Sequence, residues 1–241
     1  MTAYMLQLFP ELTNVNGDAE NALVLAQRAR WSDIDAEVVA LHAGESAPAI
    51  TPAAIVLGSG VDSSLARTRD ALGQIVGALG DWIADGVPVL AVGTGMELLG
   101  RSIALDGETI QGLGAIPGTS IPLENRATGE LVVHSPWGAL VGYENHARGY
   151  DTRDPGITTL GGVGHGIGNG DGSEGIHSGF IFGTHLHGPV LARNPTLAIA
   201  ISALAFGEAE DVYGRSRADG IADTINADAL RRLGVAAPGA R

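Results

Sequence analysis

The stretch Val87-Pro88-Val89-Leu90-Ala91-Val92-Gly93-Thr94-Gly95-Met96-Glu97-Leu98-Leu99-Gly100 constrains the fold most tightly. It opens as a short apolar run suited to a buried strand, breaks at Gly-Thr-Gly, and resumes with helix-forming residues. A strand, a sharp turn and a helix in that order lift the turn residue above the carboxyl edge of a sheet, where nucleophile elbows sit. Gly93 fills the apex of the turn, and the chain has no cysteine anywhere. The scaffold is one that presents a nucleophile, yet the point of presentation carries no side chain.

The preceding residues supply the sheet. Met5 to Pro10 reads as a first strand, Asp18 as the cap of a helix running from Ala19 to Trp31, and Asp35 to Leu41 as a second strand. Ala53 to Leu57 is a third strand that runs into Gly58-Ser59-Gly60-Val61-Asp62, and a helix over 65–85 leads to the elbow strand. This alternation predicts an α/β fold with a central, mainly parallel sheet flanked by helices. A chain of 241 residues is long enough for one full core of that kind.

After the elbow the character changes to short strands, over 110–118, 131–133, 139–143 and 178–184, between glycine- and proline-rich turns. Residues 161–172 are glycine-dense, with Gly164, Gly166 and Gly168 at spacing two. A phosphate loop follows a strand and opens a helix; this segment shows neither sign, so it reads as a turn between strands. Asn194-Pro195 starts a helix to Phe206. One domain over 1–207 is followed by a charged, alanine-rich tail over 208–241, read as an extra helix or a frayed end.

The net charge of −13, from 14 Lys+Arg against 27 Asp+Glu, disfavours nucleic acid and anionic membranes, which need a basic footprint. No apolar run reaches the ~18 residues of a membrane span, and the start lacks a basic, then long apolar, leader. Cytoplasm is the default expectation. The histidines show no metal-ligand spacing: His185 and His187 alternate on a strand end and face opposite sides, and His134, His165 and His177 read as loop or surface residues. No metal and no cofactor is expected.

Seven segments in order, spanning roughly residues 6 to 206, carry a family resemblance. They are Asn16-Gly17-Asp18 with Asn21; Gly58-Ser59-Gly60-Val61-Asp62; the elbow ending Glu97-Leu98-Leu99-Gly100; Gln111-Gly112-Leu113-Gly114; Gly142-Tyr143-Glu144-Asn145-His146; Gly166-Ile167-Gly168-Asn169; and His187-Gly188-Pro189 with Asn194-Pro195. Together they resemble the class I glutamine amidotransferases of the CobB/CobQ branch, nearest to the GatD-type subunits that partner a Mur-ligase-like, MurT-type synthetase. The resemblance implies a flavodoxin-like α/β fold. It also implies glutamine hydrolysis that feeds ammonia to the partner for amidation of a peptidoglycan precursor.

In that chemistry a cysteine thiolate attacks the glutamine amide, a histidine moves the proton, and backbone N–H groups hold the oxyanion. By resemblance His187 is the catalytic histidine, Gly58, Ser59 and Gly60 form the loop whose amides help to build the oxyanion hole, and Arg126 is a basic residue near the site. Gly93 stands at the position of the missing cysteine, and Glu97 where the family has a substrate-binding glutamine; a carboxylate there would repel the carboxylate of glutamine. Thr94 is a poor substitute nucleophile, because it lies one residue past the apex, and it reads as a helix N-cap. Glu144 and His146 belong to a motif near the cleft. No acid follows His187 at spacing two, and the resemblance implies that the partner supplies the third member of the triad. The expectation is a glutamine amidotransferase-like subunit degenerate in its own glutaminase activity, with glutamine or another small ligand in the cleft. The alternative is a non-catalytic binding or regulatory protein; cobyric acid synthase-like amidation fits less well, because those enzymes usually carry a fused synthetase domain.

Overall fold

The computed structural model describes residues 2–154 and 156–236, so residues 237–241 of the tail lie outside it. The first part of the chain forms β1 (Ala3–Leu8), a single turn α1 (Pro10–Thr13), α2 (Asn21–Trp31), β2 (Ala36–Leu41), β3 (Ala54–Leu57), α3 (Leu65–Gln74), α4 (Val76–Ala84), β4 (Val89–Val92) and α5 (Thr94–Leu99). The helix expected over 65–85 is two helices, broken at Ile75 (φ −112°, ψ 8°) within a run that carries Gly73, Gly77 and Gly80. Asp18 does not cap a helix. It opens a separate 3₁₀ turn, Asp18–Glu20, and its buried carboxylate accepts from the Ser59 and Gly188 N–H groups and meets the His187 ring.

The later part forms β5 (Ser102–Leu105), β6 (Glu108–Gln111), β7 (Thr119–Ser135), β8 (Gly138–Tyr150), β9 (Gly161–His165), β10 (Ser173–Glu174), β11 (Ile176–Ser178), β12 (Ile181–Thr184), α6 (Val190–Arg193), α7 (Pro195–Phe206) and α8 (Arg217–Leu233). The central sheet has the order β11-β12-β4-β3-β1-β2 and is parallel except for β11. Strands β3, β4 and β12 are buried along their whole length, as expected where helices cover both faces. Leu72, Leu79 and Trp82 pack beneath one face with Leu57 and Ala91. Leu25, Ala26, Leu197 and Ile201 pack on the other with Val56, Val92 and Phe182.

A second, six-stranded sheet stands beside the first, in the order β10-β9-β7-β5-β6 with β8 paired to β7. Where the pattern predicts short strands, β7 and β8 form a hairpin of 17 and 13 residues. Pro122, the charged run around Arg126 and Gly129 interrupt the alternation; the ladder absorbs the first two with a register shift between Pro122 and Ala127 and pairs Gly129 with Glu144 in regular register. The stretch after Gln111 is not a strand; it lies against α5, with the Leu113 N–H donating to the Leu98 carbonyl at 2.8 Å. The glycine-dense segment forms β9 and the turn into β10.

Helix α8 starts with a capping box between Ser216 and Asp219. Asp219 also pairs with the buried Arg28 of α2, which ties the tail to the body of the domain. Adjacent parallel strands β3, β4 and β12 end side by side, so their carboxyl-end loops converge. An isolated bridge between Tyr143 and His187 brings β8 over the same edge.

Candidate functional site

The loop after β4 turns at Gly93 with φ 52° and ψ −120°, a conformation that strains any residue with a Cβ. The Gly93 N–H donates to the Thr184 carbonyl at 2.8 Å, which fixes the turn to β12. A Cβ built on Gly93 would meet Ser59 Oγ at 2.6 Å, His187 Cε1 at 2.8 Å and Ser59 Cβ at 3.0 Å. The volume above the apex is therefore already shared by Ser59 and His187.

After β3, Gly58 lies so close to α1 that a side chain there would meet the Thr13 carbonyl oxygen at 2.0 Å. Only glycine fits at that approach, and the Val15 N–H, donating to the Ser59 carbonyl at 3.1 Å, ties the glycine loop to the N-terminal segment. The Ser59 N–H donates to Asp18 Oδ2 at 3.2 Å, and the Gly60 N–H to Thr94 Oγ1 at 2.8 Å. Both amides donate inside the protein rather than into the cleft. Thr94 is the first residue of α5, and Gly93 is its cap; the threonine hydroxyl serves the glycine loop and is not an N-cap.

His187 is buried, and its Nδ1 lies 3.1 Å from Asp18 Oδ2 and 3.1 Å from Asn16 Nδ2. Nδ1 thus faces an acceptor in the Asp18 carboxylate and a donor in the Asn16 amide, and both residues hold the ring from this side. Nε2 is buried and has no hydrogen-bond partner. Asp18 Oδ1 also accepts from the Gly188 N–H at 2.7 Å. The acid beside the histidine thus comes from this chain, 169 residues upstream rather than two residues after it. The Asn16-Gly17-Asp18 cluster was the signal available for it.

Glu97 is 1% exposed and does not stand as a bare charge. Arg148 donates to it from Nε at 3.0 and 3.1 Å and reaches Asp62 from Nη2 at 2.7 Å. Burial works against the charge of Arg148, but the hydrogen bond to Asp62 and the charge of Glu97 outweigh it and push its pKa up. The carboxylate expected to repel a ligand is neutralised by a residue that sequence reasoning did not single out. Arg126 is exposed and donates from Nε and Nη2 to Asn145 Oδ1, at 3.0 and 2.8 Å, at the rim.

A cavity of about 250 Å³ is lined by Ser59, Gly60, Gly93, Thr94, Glu97, Arg126 and His187, together with Asn16, Asp62, Asn145, His146 and Arg148. Gly58 lies behind the loop and does not line it. No group of side chains suited to a metal ion occurs among the described residues, and no helix among them is long and apolar enough to cross a membrane.

Two buried His–Glu pairs brace the cleft, one of them through His146 in its wall. Glu144 accepts from the Ile167 N–H at 2.7 Å, the Gly168 N–H at 2.9 Å and His146 Nε2 at 3.1 Å. Glu174 accepts from the Thr184 hydroxyl, the His185 N–H and His185 Nδ1. The His146 and His185 rings stack with their centroids 4.0 Å apart. Burial alone would raise the Glu144 carboxyl, but the bonds from His146, Gly168 and Ile167 hold it below the usual carboxylate range. Burial of Glu174 is likewise outweighed by the charge and hydrogen bonds of His185 and the hydroxyl of Thr184.

A carboxyl whose folded pKa lies below its unfolded value stabilises fully above the unfolded value, and that stability is lost as pH falls through the folded one. Replacing Glu144 with glutamine is therefore expected to cost ~1–3 kcal/mol near neutrality, where the N–H groups of Ile167 and of the buried Gly168 lose a charged acceptor. The gap between variant and wild type should close as pH falls below the ordinary glutamate value of the unfolded chain, ~4.3, and on through the lower folded one. Urea unfolding at neutral and acid pH measures this; a gap independent of pH rules out the assignment.

A model of the CobB/CobQ-like glutamine amidotransferase domain matches residues 12–195. The chain is 36% identical over 185 residues to the lipid II isoglutaminyl synthase (glutamine-hydrolyzing) subunit GatD of Staphylococcus aureus (strain N315), a match that covers 75% of each protein. It is 30% identical over 199 residues to the subunit of that name from Streptococcus pneumoniae (strain ATCC BAA-255 / R6), covering 79% of this chain and 75% of the relative. The solved structure of a glutamine amidotransferase superposes with a TM-score of 0.56 at 14% identity, covering 83% of this chain and 98% of that one, and shares the fold. From the segment after β1 to the start of α7, the matched region takes in the glycine loop, the elbow and the histidine loop, and the chain belongs to the CobB/CobQ-like glutamine amidotransferase family.

Proposed function

We propose that this chain is a glutamine amidotransferase-like subunit of a lipid II isoglutaminyl synthase-type complex, working beside a Mur-ligase-like partner, and that it has lost the cysteine-based glutaminase step. The observation that carries the second part is the elbow apex: Gly93 has no side chain and the protein has no cysteine. The similarity to GatD subunits supports the first part. The cleft is otherwise kept, with a buried histidine, an acid behind it and a polar wall. It serves in this reading as a ligand-binding and partner-facing element, and the synthetase draws ammonia from elsewhere.

The test is ammonia release from glutamine by the purified chain, alone and co-expressed with a Mur-ligase-like synthetase, with His187→Ala as the control. The expected result is a stable complex and no release above the control. Release that disappears in His187→Ala overturns the loss of glutaminase, and failure to co-purify overturns the subunit role. A regulatory protein without that partner is the second reading, favoured by the neutralised Glu97, which leaves a stable cavity independent of any glutamine chemistry.

A further inference from the structure

We propose that the cleft holds a relocated nucleophile: the hydroxyl of Ser59, served by His187 and Asp18, which opens compact carboxylic esters. This goes beyond the function proposed above, because loss of the cysteine route then does not leave the cleft chemically inert.

Position comes first. Ser59 Oγ and His187 Cε1 lie 2.6 and 2.8 Å from the point that a Cβ on Gly93 would occupy, so hydroxyl and ring converge on the volume above the elbow apex. Both side chains belong to residues at most 5% exposed, and both line the cavity. The hydroxyl is also loosely held. Its contacts are 3.4 Å to the Thr94 N–H, 3.5 Å to Thr94 Oγ1 and 3.5 Å to the Gly60 carbonyl, long for a hydroxyl hydrogen bond. The base, finally, keeps one ring nitrogen without a partner. Asp18 holds Nδ1 at 3.1 Å, while the buried Nε2 has no partner. A nucleophile, a base and an orienting acid thereby stand around the elbow apex; Ser59 Oγ and Nε2 do not hydrogen-bond to each other here, but the three residues carry the roles of a hydrolytic triad, recognised by roles rather than by sequence order.

In the step proposed, the Ser59 hydroxyl proton passes to His187 Nε2 as the Oγ–carbon bond forms. The bond from carbon to the alcohol oxygen breaks, and that oxygen takes the proton from His187. Water then loses a proton to His187 and attacks the acyl carbon, and Ser59 leaves with that proton. Esters fit better than carboxamides because the Ser59 and Gly60 amides, which would otherwise stabilise an oxyanion, already donate to Asp18 and Thr94. A missing oxyanion donor costs roughly 10²–10³ in rate, which a good leaving group tolerates and an amide does not.

The experiment uses the full chain and a fluorophosphonate probe, whose phosphorus forms a bond to the attacking oxygen as fluoride leaves. Peptide mapping is expected to place the adduct on Ser59, Ser59→Ala to remove it, and His187→Gln to slow it roughly 10²-fold or more, the usual weight of a general base. Burst hydrolysis of p-nitrophenyl acetate should follow the same pattern. No adduct, an adduct on Thr94 or another hydroxyl, or labelling of Ser59 that ignores His187→Gln overturns the inference. Mapping on the wild-type chain decides the case even if a variant does not fold. Ammonia release from glutamine that is lost in both Ser59→Ala and His187→Gln would uphold Ser59 and overturn the loss of glutaminase. Absence of both adduct and ammonia would do the reverse.

Discussion

Replacing Gly93 with cysteine is expected to destabilise the protein and to leave the new thiol unreactive, although it restores the residue that the elbow lacks. At φ 52° and ψ −120° a residue with a Cβ costs ~1–3 kcal/mol in strain. Contacts of 2.6 and 3.0 Å with Ser59 and 2.8 Å with His187 add crowding in a site that is already filled. Two of those three contacts belong to Ser59. Ser59→Gly in the same chain should therefore relieve most of the crowding, and the double variant should be more stable than the sum of the single effects by ~0.5–3 kcal/mol. Urea unfolding of the wild type, both single variants and the double variant reads this coupling directly. Strict additivity would mean that positions 59 and 93 do not compete for one space. Alkylation by iodoacetamide, slow in Gly93→Cys and faster in the double variant, is the chemical counterpart.

Arg148→Met should be among the most damaging single changes in the cleft. It removes the cation from between Glu97 and Asp62 and leaves Glu97, 2% exposed in its side chain, as an unpaired buried charge. Breaking a buried pair in this way costs ~3–5 kcal/mol, much of it the penalty on the stranded partner. Combining it with Glu97→Met, which removes that partner as well, should recover a substantial part of the loss. Thermal or urea unfolding of the two single variants and the pair decides the matter, and a double variant no better than Arg148→Met would show that the arginine matters through Asp62 or packing instead. This result would also say whether the glutamic acid at the elbow is tolerated only because Arg148 faces it.

The parts of the molecule that were legible in the sequence are those whose signal is local. The apolar runs at 54–57 and 89–92, each ended by glycine, mark strands buried on both faces, and their alternation with helices is enough for the fold class. The second sheet was not legible in its extent. β7 runs through Pro122, Arg126 and Gly129, which read as breaks, because pairing with β8 and a register shift override local preference. In the site, residues on the elbow and glycine loop follow from motif position, and the cavity brings Ser59, Gly60, Gly93, Thr94, Glu97, Arg126 and His187 together. Asp18 and Arg148 escaped because their partners lie 169 and 51 residues away, a pairing that only the tertiary fold creates.

The loop that follows β9 has a consequence for what it can hold. Its Ile167 and Gly168 amides point inward to a carboxylate supplied by β8, so the loop carries its own tethered anion. A diffusible phosphate or carboxylate would have to displace a competitor that cannot leave, and whose local concentration is set by the β-ladder rather than by the solution. The glycine pattern that most resembles a nucleotide site is thus self-occupied, and it acts as a molecular latch between the hairpin and the edge of the cleft.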